Sequence, residues 1–195
     1  MKVSIIKYNA GNIRSVAFAL ERLYVDFEIT DNAEQILKSD KVIFPGVGEA
    51  SSTMNYLKEK KLDQLIIDLK QPVLGICLGM QLMCKHSEEN NTDCLGIFDE
   101  SVKQFKTDRH QKVPHMGWNS LTNTTDWVDS RLKNQFVYFI HSYYVPVNNF
   151  TSAVANYIEP FSAAMRRNNF YAVQFHPEKS ARVGEMVLEN FIKQS

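Results

Sequence analysis

The stretch Gln71–Leu82, with the sequence QPVLGICLGMQL, decides the fold that we predict for this chain. Its apolar segment Val73–Ile76 is typical of a short strand that is buried on both faces of a sheet. From Leu78 onward the residues are good helix formers, and no proline interrupts them. The pattern therefore predicts a strand that meets a helix at Cys77.

Cys77 is flanked by Gly75 and Gly79 in the pattern G-x-C-x-G, the thiol counterpart of the G-x-S-x-G nucleophile elbow. Glycine is expected at both positions because a Cβ would collide with the neighbouring backbone in so sharp a turn. The turn would place the sulfur at a helix N-terminus, where unpaired N–H groups and the helix dipole favour thiolate over thiol. A buried structural cysteine is the alternative, and it is the interpretation that we favour for Cys84 and Cys94.

Composition and charge exclude several classes of protein. With 195 residues, the chain is long enough for one domain, residues 1–195, with a substantial core. The 22 basic residues balance the 22 acidic ones, which argues against binding to nucleic acid or to an anionic membrane. Three cysteines without a C-x-x-C pair argue against a disulfide framework or a zinc site and favour a reducing compartment. The N-terminus has no signal-peptide pattern, and Pro72–Cys84 is shorter than the ~20 apolar residues of a membrane span, so we expect a cytoplasmic protein.

Strands alternate with helices along the first half of the chain, which predicts a parallel sheet with helices on both faces. The expected strands are Lys2–Lys7, Phe27–Thr30, Lys41–Phe44 and Val73–Ile76, and helices are expected from the N-cap Asn12 and from Asn32, Ser51 and Leu62. The second half predicts antiparallel strands and a closing amphipathic helix: Val102–Phe105, Phe136–Ile140, Ala153–Ile158, Ala163–Arg167, Phe170–Phe175 and the helix Val183–Lys193. The predicted fold class is α/β, with a mostly parallel central sheet and an antiparallel, strand-rich C-terminal half. Ligands of such folds bind beyond the carboxyl ends of the strands, where Cys77 is expected.

The loop Pro45–Gly48 follows the third strand and can supply a second part of the elbow site. Acyl transfer passes through a tetrahedral oxyanion, which backbone N–H groups stabilise. In elbow enzymes one N–H belongs to the residue after the nucleophile, and another belongs to a loop after a neighbouring strand. Leu78 fits the first role and Val47 fits the second, with Gly46 and Gly48 allowing the loop to approach closely. An ordinary glycine turn is the alternative.

A thiolate nucleophile needs a base, and the base needs a group that orients it. His176 follows the apolar segment Tyr171–Phe175, and Pro177 holds it in an extended conformation at the end of this strand. Glu178 is close enough in sequence to fix the imidazole tautomer and to stabilise its cation, although a surface turn is the alternative. The other histidines have weaker contexts, with polar surroundings for His86 and His110 and no nearby carboxylate for His115 and His141. No spacing of histidine and cysteine matches a metal site.

Two segments carry a family resemblance. Gly75–Gln81 and His176–Ser180 resemble the motifs of the class I, or triad, glutamine amidotransferases, whose fold is flavodoxin-like. More narrowly, the chain resembles the members of this family that act in histidine biosynthesis. The features typical of that group are the Pro-Gly-Val-Gly loop, the first loop Asn9–Arg14, and the block Pro114–Asn119 with the sequence PHMGWN. The resemblance runs from Lys2 to the C-terminal helix.

The resemblance implies a glutaminase reaction. Cys77 would attack the side-chain amide of L-glutamine while His176 takes the thiol proton and later passes it to the departing ammonia. Glu178 would steady His176, and water would release glutamate from the thioester. The family places the amino-acid end of glutamine against Gly46, Gly48, Gln81, Glu89, Ser142 and Tyr143. It implies no metal and no organic cofactor.

The resemblance also implies a partner, because ammonia released into neutral water becomes ammonium, which is not a nucleophile. In the family, a tunnel leads the ammonia to a (β/α)8-barrel cyclase, with which the glutaminase forms a heterodimer. The block Pro114–Asn119 by itself suggests a rigid, partly apolar surface, and a strand edge packed under a loop is the alternative. The residues that the resemblance places at the interface are Asn12, Met116, Trp118, Tyr138 and Lys179.

Other functions stay open at this point. A stand-alone hydrolase or cysteine peptidase would use the same triad and would turn over without a partner. A non-catalytic regulatory subunit is disfavoured by the intact triad. A related amidotransferase subunit would supply ammonia to a sugar-modifying enzyme of a surface polysaccharide pathway.

Overall fold

The computed structural model describes residues 1–8, 12–107 and 111–193. Its strands are β1 Lys2–Ile6, β2 Asp26–Thr30, β3 Lys41–Phe44, β4 Val73–Ile76, β5 Cys84–Ser87, β6 Thr92–Asp93, β7 Phe98–Gln104, β8 His115–Ser120, β9 Asn123–Thr124, β10 Phe136–His141, β11 Tyr143–Tyr144, β12 Thr151–Asn156, β13 Pro160–Arg167 and β14 Phe170–Val173. Its α-helices are α1 Ile13–Arg22, α2 Ala33–Lys38, α3 Ala50–Glu59, α4 Leu62–Asp68, α5 Leu78–Leu82 and α6 Ala181–Lys193. The first loop is described only from Asn12 onward, and His110 lies outside the described residues.

Eight strands form the central sheet, in the order β2-β1-β3-β4-β14-β13-β12-β9. The strands from β2 to β14 in this order pair in parallel, and those from β14 to β9 pair antiparallel. The predicted α/β class, with a parallel first half and an antiparallel second half, is confirmed. Strands β13 and β14 pair with each other through the turn at Asn168 and Asn169.

Helices cover both faces of the sheet because each presents an apolar stripe to it. On one face, α1 and α6 contribute Val16, Leu20, Val187, Leu188 and Phe191 to a buried cluster. On the other face, α3 and α4 contribute Met54, Leu57, Leu62 and Ile66 to a second cluster. Strand β4 lies between them, with Leu74 in the first cluster and Val73 in the second, which explains its continuous apolar sequence.

Two smaller sheets adjoin the central one. Strands β8 and β10 form an antiparallel ribbon in which Trp118 lies opposite Tyr138 and His115 lies opposite His141. Strands β11, β7, β5 and β6 form the other sheet. The Ile140 carbonyl of β10 is 3.8 Å from the sulfur of Cys77. The ribbon, defined here as β8 and β10, therefore borders the carboxyl ends of the central strands.

The helix after Cys77 is short. It ends at Leu82, and the chain enters β5 at Cys84. The main-chain carbonyls of residues 82–84 accept hydrogen bonds of 2.8 to 2.9 Å from the N–H groups of the segment 95–98, so they cannot serve a further helical turn. A helix of five residues has a weak dipole, and the dipole therefore contributes less to the site than the sequence suggested.

No helix in the described ranges is long and apolar enough to cross a membrane. The same residues contain no group of three or more His, Cys, Asp or Glu side chains that could hold a metal ion. All three cysteines are free, with Cys77 and Cys84 buried and Cys94 half-buried.

Candidate active site

Cys77 lies at a sharp turn between β4 and α5. Its backbone has φ 53° and ψ −108°, a positive-φ conformation that is costly for a residue with a Cβ. A Cβ on Gly79 would lie 2.0 Å from the carbonyl oxygen of Phe44, and one on Gly75 would lie 3.0 Å from the backbone of Gly79. The N–H of Cys77 donates to the carbonyl of Val173 at 2.8 Å and ties the turn to β14. The turn thus has the elbow geometry that the two glycines predicted.

His176 reaches the elbow because β14 runs parallel to β4, so that both strands end at the same edge of the sheet. Its Nδ1 atom lies 2.7 Å from Oε1 of Glu178, and both side chains are buried. With Nδ1–H donating to Glu178, Nε2 is the nitrogen left for the Cys77 proton. That Nε2 atom has no hydrogen-bond partner among the described residues.

The charges around His176 favour its protonated form. Burial lowers the pKa of His176, but the neighbouring negative charges of Cys77 and Glu178, together with the hydrogen bond to Glu178, raise it more, to about 10. A proton on the imidazole and a negative charge on the sulfur is the reactive form of a Cys–His pair. The arrangement is therefore suited to nucleophilic attack by Cys77.

Asn12 makes side-chain contacts that the sequence did not predict. It occupies the N-cap position of α1, but its side chain makes no capping hydrogen bond. Instead, its amide donates to Oε1 of Glu178 and lies 3.3 Å from Nδ1 of His176. The side chain is buried, so its contacts within the chain are with the candidate acid and base.

A cavity of about 320 Å³ opens beside Cys77. The predicted site residues that line it are Val47, Gly48, Leu78, Gln81, Glu89, Ser142 and Tyr143, and Pro114, Ile140 and His141 line it as well. Gly46 does not line the cavity, since it packs under the elbow, where a Cβ would lie 2.5 Å from the N atom of Gly79. The carboxylate of Glu89 accepts from the Ala50 N–H at 2.8 Å, and burial raises the pKa of Glu89.

Val47, in the loop Pro45–Gly48, and Leu78 do not together present their N–H groups to an oxyanion in this conformation. The Leu78 N–H, one of the two expected donors, donates to the Gly46 carbonyl at 3.4 Å. The preceding Pro45 carbonyl accepts from the hydroxyl of Tyr8. The loop therefore directs a carbonyl toward the position where the candidate hole needs a donor.

The other predicted interface residues lie on the ribbon or beside it. Met116 and Trp118 are 60% and 53% exposed on the outer side of β8. The rings of Trp118 and Tyr138 meet edge to face with centroids 6.0 Å apart, and the exposed Lys179 has its Nζ 6.0 Å from the centre of the Tyr138 ring. These four side chains form one apolar and cationic surface patch.

Sequence reasoning missed a buried set of polar side chains behind the cavity. Gln174 is fully buried and its Nε2 lies 3.7 Å from the sulfur of Cys77. His115 and His141, which had no predicted partner, lie 3.0 Å apart, Nδ1 to Nε2. Burial lowers the pKa of His115 to about 4 and that of His141 to about 3. The signal for Gln174 was available, because residues two apart on a strand share a face and His176 is two residues further on.

Comparisons with known proteins show the family of the chain. Residues 4–195 match the family described as glutamine amidotransferase class-I. The imidazole glycerol phosphate synthase subunit HisH of Bacteroides fragilis strain YCH46 is 59% identical over 195 residues, which cover 99% of this chain and 100% of that protein. The subunit of the same name from Idiomarina loihiensis is 44% identical, with 99% and 98% covered.

Solved structures share the fold at low sequence identity. A glutamine amidotransferase superposes with a TM-score of 0.74 at 18% identity, covering 97% of this chain and 98% of the other. A glutamine amidotransferase of Thermotoga maritima gives a TM-score of 0.61 at 16% identity, covering 99% of this chain and 81% of the other. At these identities the superpositions establish the fold alone.

Proposed function

The chain belongs to the class-I glutamine amidotransferases, and from this membership we propose that it is the glutaminase subunit of an imidazole glycerol phosphate synthase in histidine biosynthesis. The observation that carries the proposal is the buried His176–Glu178 pair beside Cys77 at the mouth of the cavity. Full-length identity of 59% to a HisH subunit supports the choice of pathway within the family.

In the proposed reaction, the sulfur of Cys77 attacks the side-chain carbonyl carbon of L-glutamine. The oxyanion that forms is held by the N–H groups of Leu78 and Val47 once the loop has reoriented. The C–N bond then breaks, His176 gives its proton to the leaving nitrogen, and a glutamyl thioester and ammonia remain. His176 next takes a proton from water, which attacks the thioester and releases glutamate and the Cys77 thiolate.

The cavity provides the proposed substrate contacts. Gln81, Glu89, Ser142 and Tyr143 line it together with Cys77, and we propose that they contact the amino-acid end of glutamine. Gly48 lines it too, and Gly46 supports the loop from below through its close packing on Gly79. No cofactor takes part in this reaction.

The proposed partner is a (β/α)8-barrel cyclase that receives the ammonia and forms a heterodimer with this chain. The surface patch of Met116, Trp118, Tyr138 and Lys179 is where we propose that it docks. The Tyr138 carbonyl accepts from the His176 N–H at 2.9 Å, so a contact on this strand lies one hydrogen bond from the base. The patch would offer two aromatic side chains and a methionine, residue types that are enriched at protein interfaces. We further propose that residues 1–195 act as one amidotransferase domain and that the protein works in the cytoplasm.

The test is reconstitution with the barrel cyclase from the same genome. We expect the pair to co-purify and to form the cyclase product with glutamine as the nitrogen source, whereas the cyclase alone should require ammonium salts. Glutamine hydrolysis at one rate with and without the cyclase would instead identify a stand-alone hydrolase. Glutamine-dependent product formation only with a sugar-modifying enzyme would reassign the partner.

A further inference from the structure

The sulfur of Cys77 has a neighbour that the proposed mechanism does not use. The amide nitrogen of Gln174 lies 3.7 Å from this sulfur, within the range for an N–H···S hydrogen bond, and the side chain is fully buried. We propose that Gln174 donates this hydrogen bond to the Cys77 thiolate and stabilises it, with an orientation enforced by a buried relay of side chains. The inference rests on the proposed role of Cys77 as the nucleophile.

The orientation of the Gln174 amide follows from Gln81. The Nε2 atom of Gln81 donates to Oε1 of Gln174 at 3.0 Å and to the carbonyl of Tyr143 at 2.9 Å. Both N–H bonds of Gln81 are therefore used, and Gln174 must turn its oxygen toward Gln81 and its NH₂ toward the sulfur. A flipped Gln174 would bring two NH₂ groups face to face and direct an acceptor at a thiolate.

The Tyr143 carbonyl sets the direction of every other proton in the relay, because a carbonyl can only accept. It accepts from Nδ1–H of His141 at 2.7 Å, which leaves Nε2 of His141 as an acceptor. The Nδ1–H of His115 donates to that Nε2 at 3.0 Å, and Nε2 of His115 accepts from the Asn119 amide at 3.3 Å. The relay thus runs without a gap from Asn119 on the ribbon to Cys77.

The relay works with one proton arrangement, in which both imidazoles are neutral. A second proton on either ring would place two N–H groups against each other. Burial, which lowers the pKa of both His115 and His141, keeps the rings neutral at neutral pH. Buried polar networks of this kind hold their members in one geometry when every member has a partner.

Several titratable groups face the sulfur besides this neutral donor. His176, in the segment after β14, and Tyr8, after the end of β1, interact electrostatically with Cys77, and Glu178 lies behind His176. His141 and Glu89 line the same cavity as Cys77. Since His176 supplies the opposite charge, the stabilisation of the thiolate by Gln174 is smaller than that by His176 and can be measured separately.

The test measures how fast iodoacetamide alkylates Cys77 of the isolated chain as a function of pH, with the labelled peptide quantified by mass spectrometry. Gln174→Met removes the donor and should raise the midpoint of the alkylation profile by about one pH unit. Gln174→Glu keeps the shape but opposes the thiolate with a second negative charge, so its midpoint should rise further. Exposed Gln135→Glu is the matched control and should leave the midpoint unchanged.

If Gln174 had only a structural role, the alkylation midpoints of the variants would not follow the loss of the donor and the added charge. Wild-type midpoints in both Gln174 variants would overturn the inference. If circular dichroism shows that Gln174→Met does not fold, Gln174→Glu decides alone, because it keeps the volume and the contact with Gln81. The readout needs no glutamine turnover, so a failure of the proposed function would be visible separately, as a chain that shows the expected midpoints but releases no glutamate even with the cyclase and its ligand.

Discussion

The two sides of the site differ in how complete they are. On the base side, His176, Glu178 and Asn12 are in mutual contact and buried. Their contacts hold Nδ1 of His176 and leave Nε2 to take the Cys77 proton. On the oxyanion side, the Leu78 N–H is occupied by the Gly46 carbonyl. The chain therefore holds a prepared nucleophile beside a closed oxyanion hole.

The difference has a physical origin in the two backbones. The base side is built on the end of β14, which the central sheet fixes through its pairing with β4. The oxyanion side is a loop whose contact with Leu78 is long, at 3.4 Å, and weak enough to exchange. Val47 resists the positive φ of a reoriented peptide, so we expect the closed loop to be the resting form and a partner to stabilise the open one.

Removing the sulfur should have the largest effect, because both sides of the site serve it. Cys77→Ala should lower glutamine hydrolysis by about four orders of magnitude or more, while the ammonia-driven reaction of the bound cyclase continues. Release of glutamate in the complex measures the first and cyclase product with ammonium salts measures the second. Cys94→Ala, at a half-buried thiol away from the cavity, is the control and should keep full activity. Substantial hydrolysis by Cys77→Ala would remove the assignment of the nucleophile.

Opening the oxyanion hole should have the next largest effect. The isolated chain should be nearly inactive, and the cyclase with its nucleotide ligand should raise the glutaminase rate by about 10²–10³, the value of one oxyanion donor. The measurement is the rate for the chain alone, with the cyclase, and with cyclase plus ligand. Equal rates in the three conditions would show that the hole is already formed.

The predicted stimulation by the cyclase can also be tested at single residues of the surface patch. Trp118→Ala and Lys179→Ala should each reduce the stimulation, because they remove the aromatic centre and the cation next to the base. Lys70→Ala, an exposed lysine before the start of β4, is the matched control and should leave the stimulation intact. Full stimulation of both patch variants would show that the cyclase docks on another surface.

Because the base side is complete without a partner, we predict that Cys77 reacts faster than the other two thiols in the isolated chain. Cys77 should be alkylated at neutral pH at least about tenfold faster than Cys84 or Cys94, since the thiolate is the reactive form. Burial raises the pKa of Cys84 well above its usual value and that of Cys94 to about 12, so both stay protonated. Glutamine should protect Cys77, as peptide mapping would show. Labelling of the three thiols at similar rates, without protection, would contradict a prepared base side.

The smallest effect concerns the packing that holds the base side in place. A Cβ on Gly184 would lie 1.9 Å from the carbonyl oxygen of Pro177, the residue between His176 and Glu178. Gly184→Ala should therefore lower the free energy of unfolding by about 1–3 kcal/mol, measured by urea denaturation. Arg182→Ala, at an exposed position of the same helix, should change it by less than about 0.5 kcal/mol. Similar stabilities for the two variants would show that α6 can shift freely.

The sequence alone determined the features that depend on neighbouring residues. The elbow follows from Gly75 and Gly79 around Cys77, and the base with its orienter follows from His176 and Glu178 two residues later. Strand and helix periodicity gave the α/β sheet. These features are local because sterics and side-chain period act over a few positions.

Only the tertiary structure decided which buried polar groups meet. Asn12 contacts His176 across 164 positions of the chain, and Gln174 contacts Cys77 across 97. The closed loop likewise depends on the hydrogen bond from the Leu78 N–H to the Gly46 carbonyl, and the short α5 depends on the hydrogen bonds from the segment 95–98 to the carbonyls of residues 82–84. A hydrogen bond of this kind is chosen when packing brings two groups together and excludes water, so the residue types alone do not specify it.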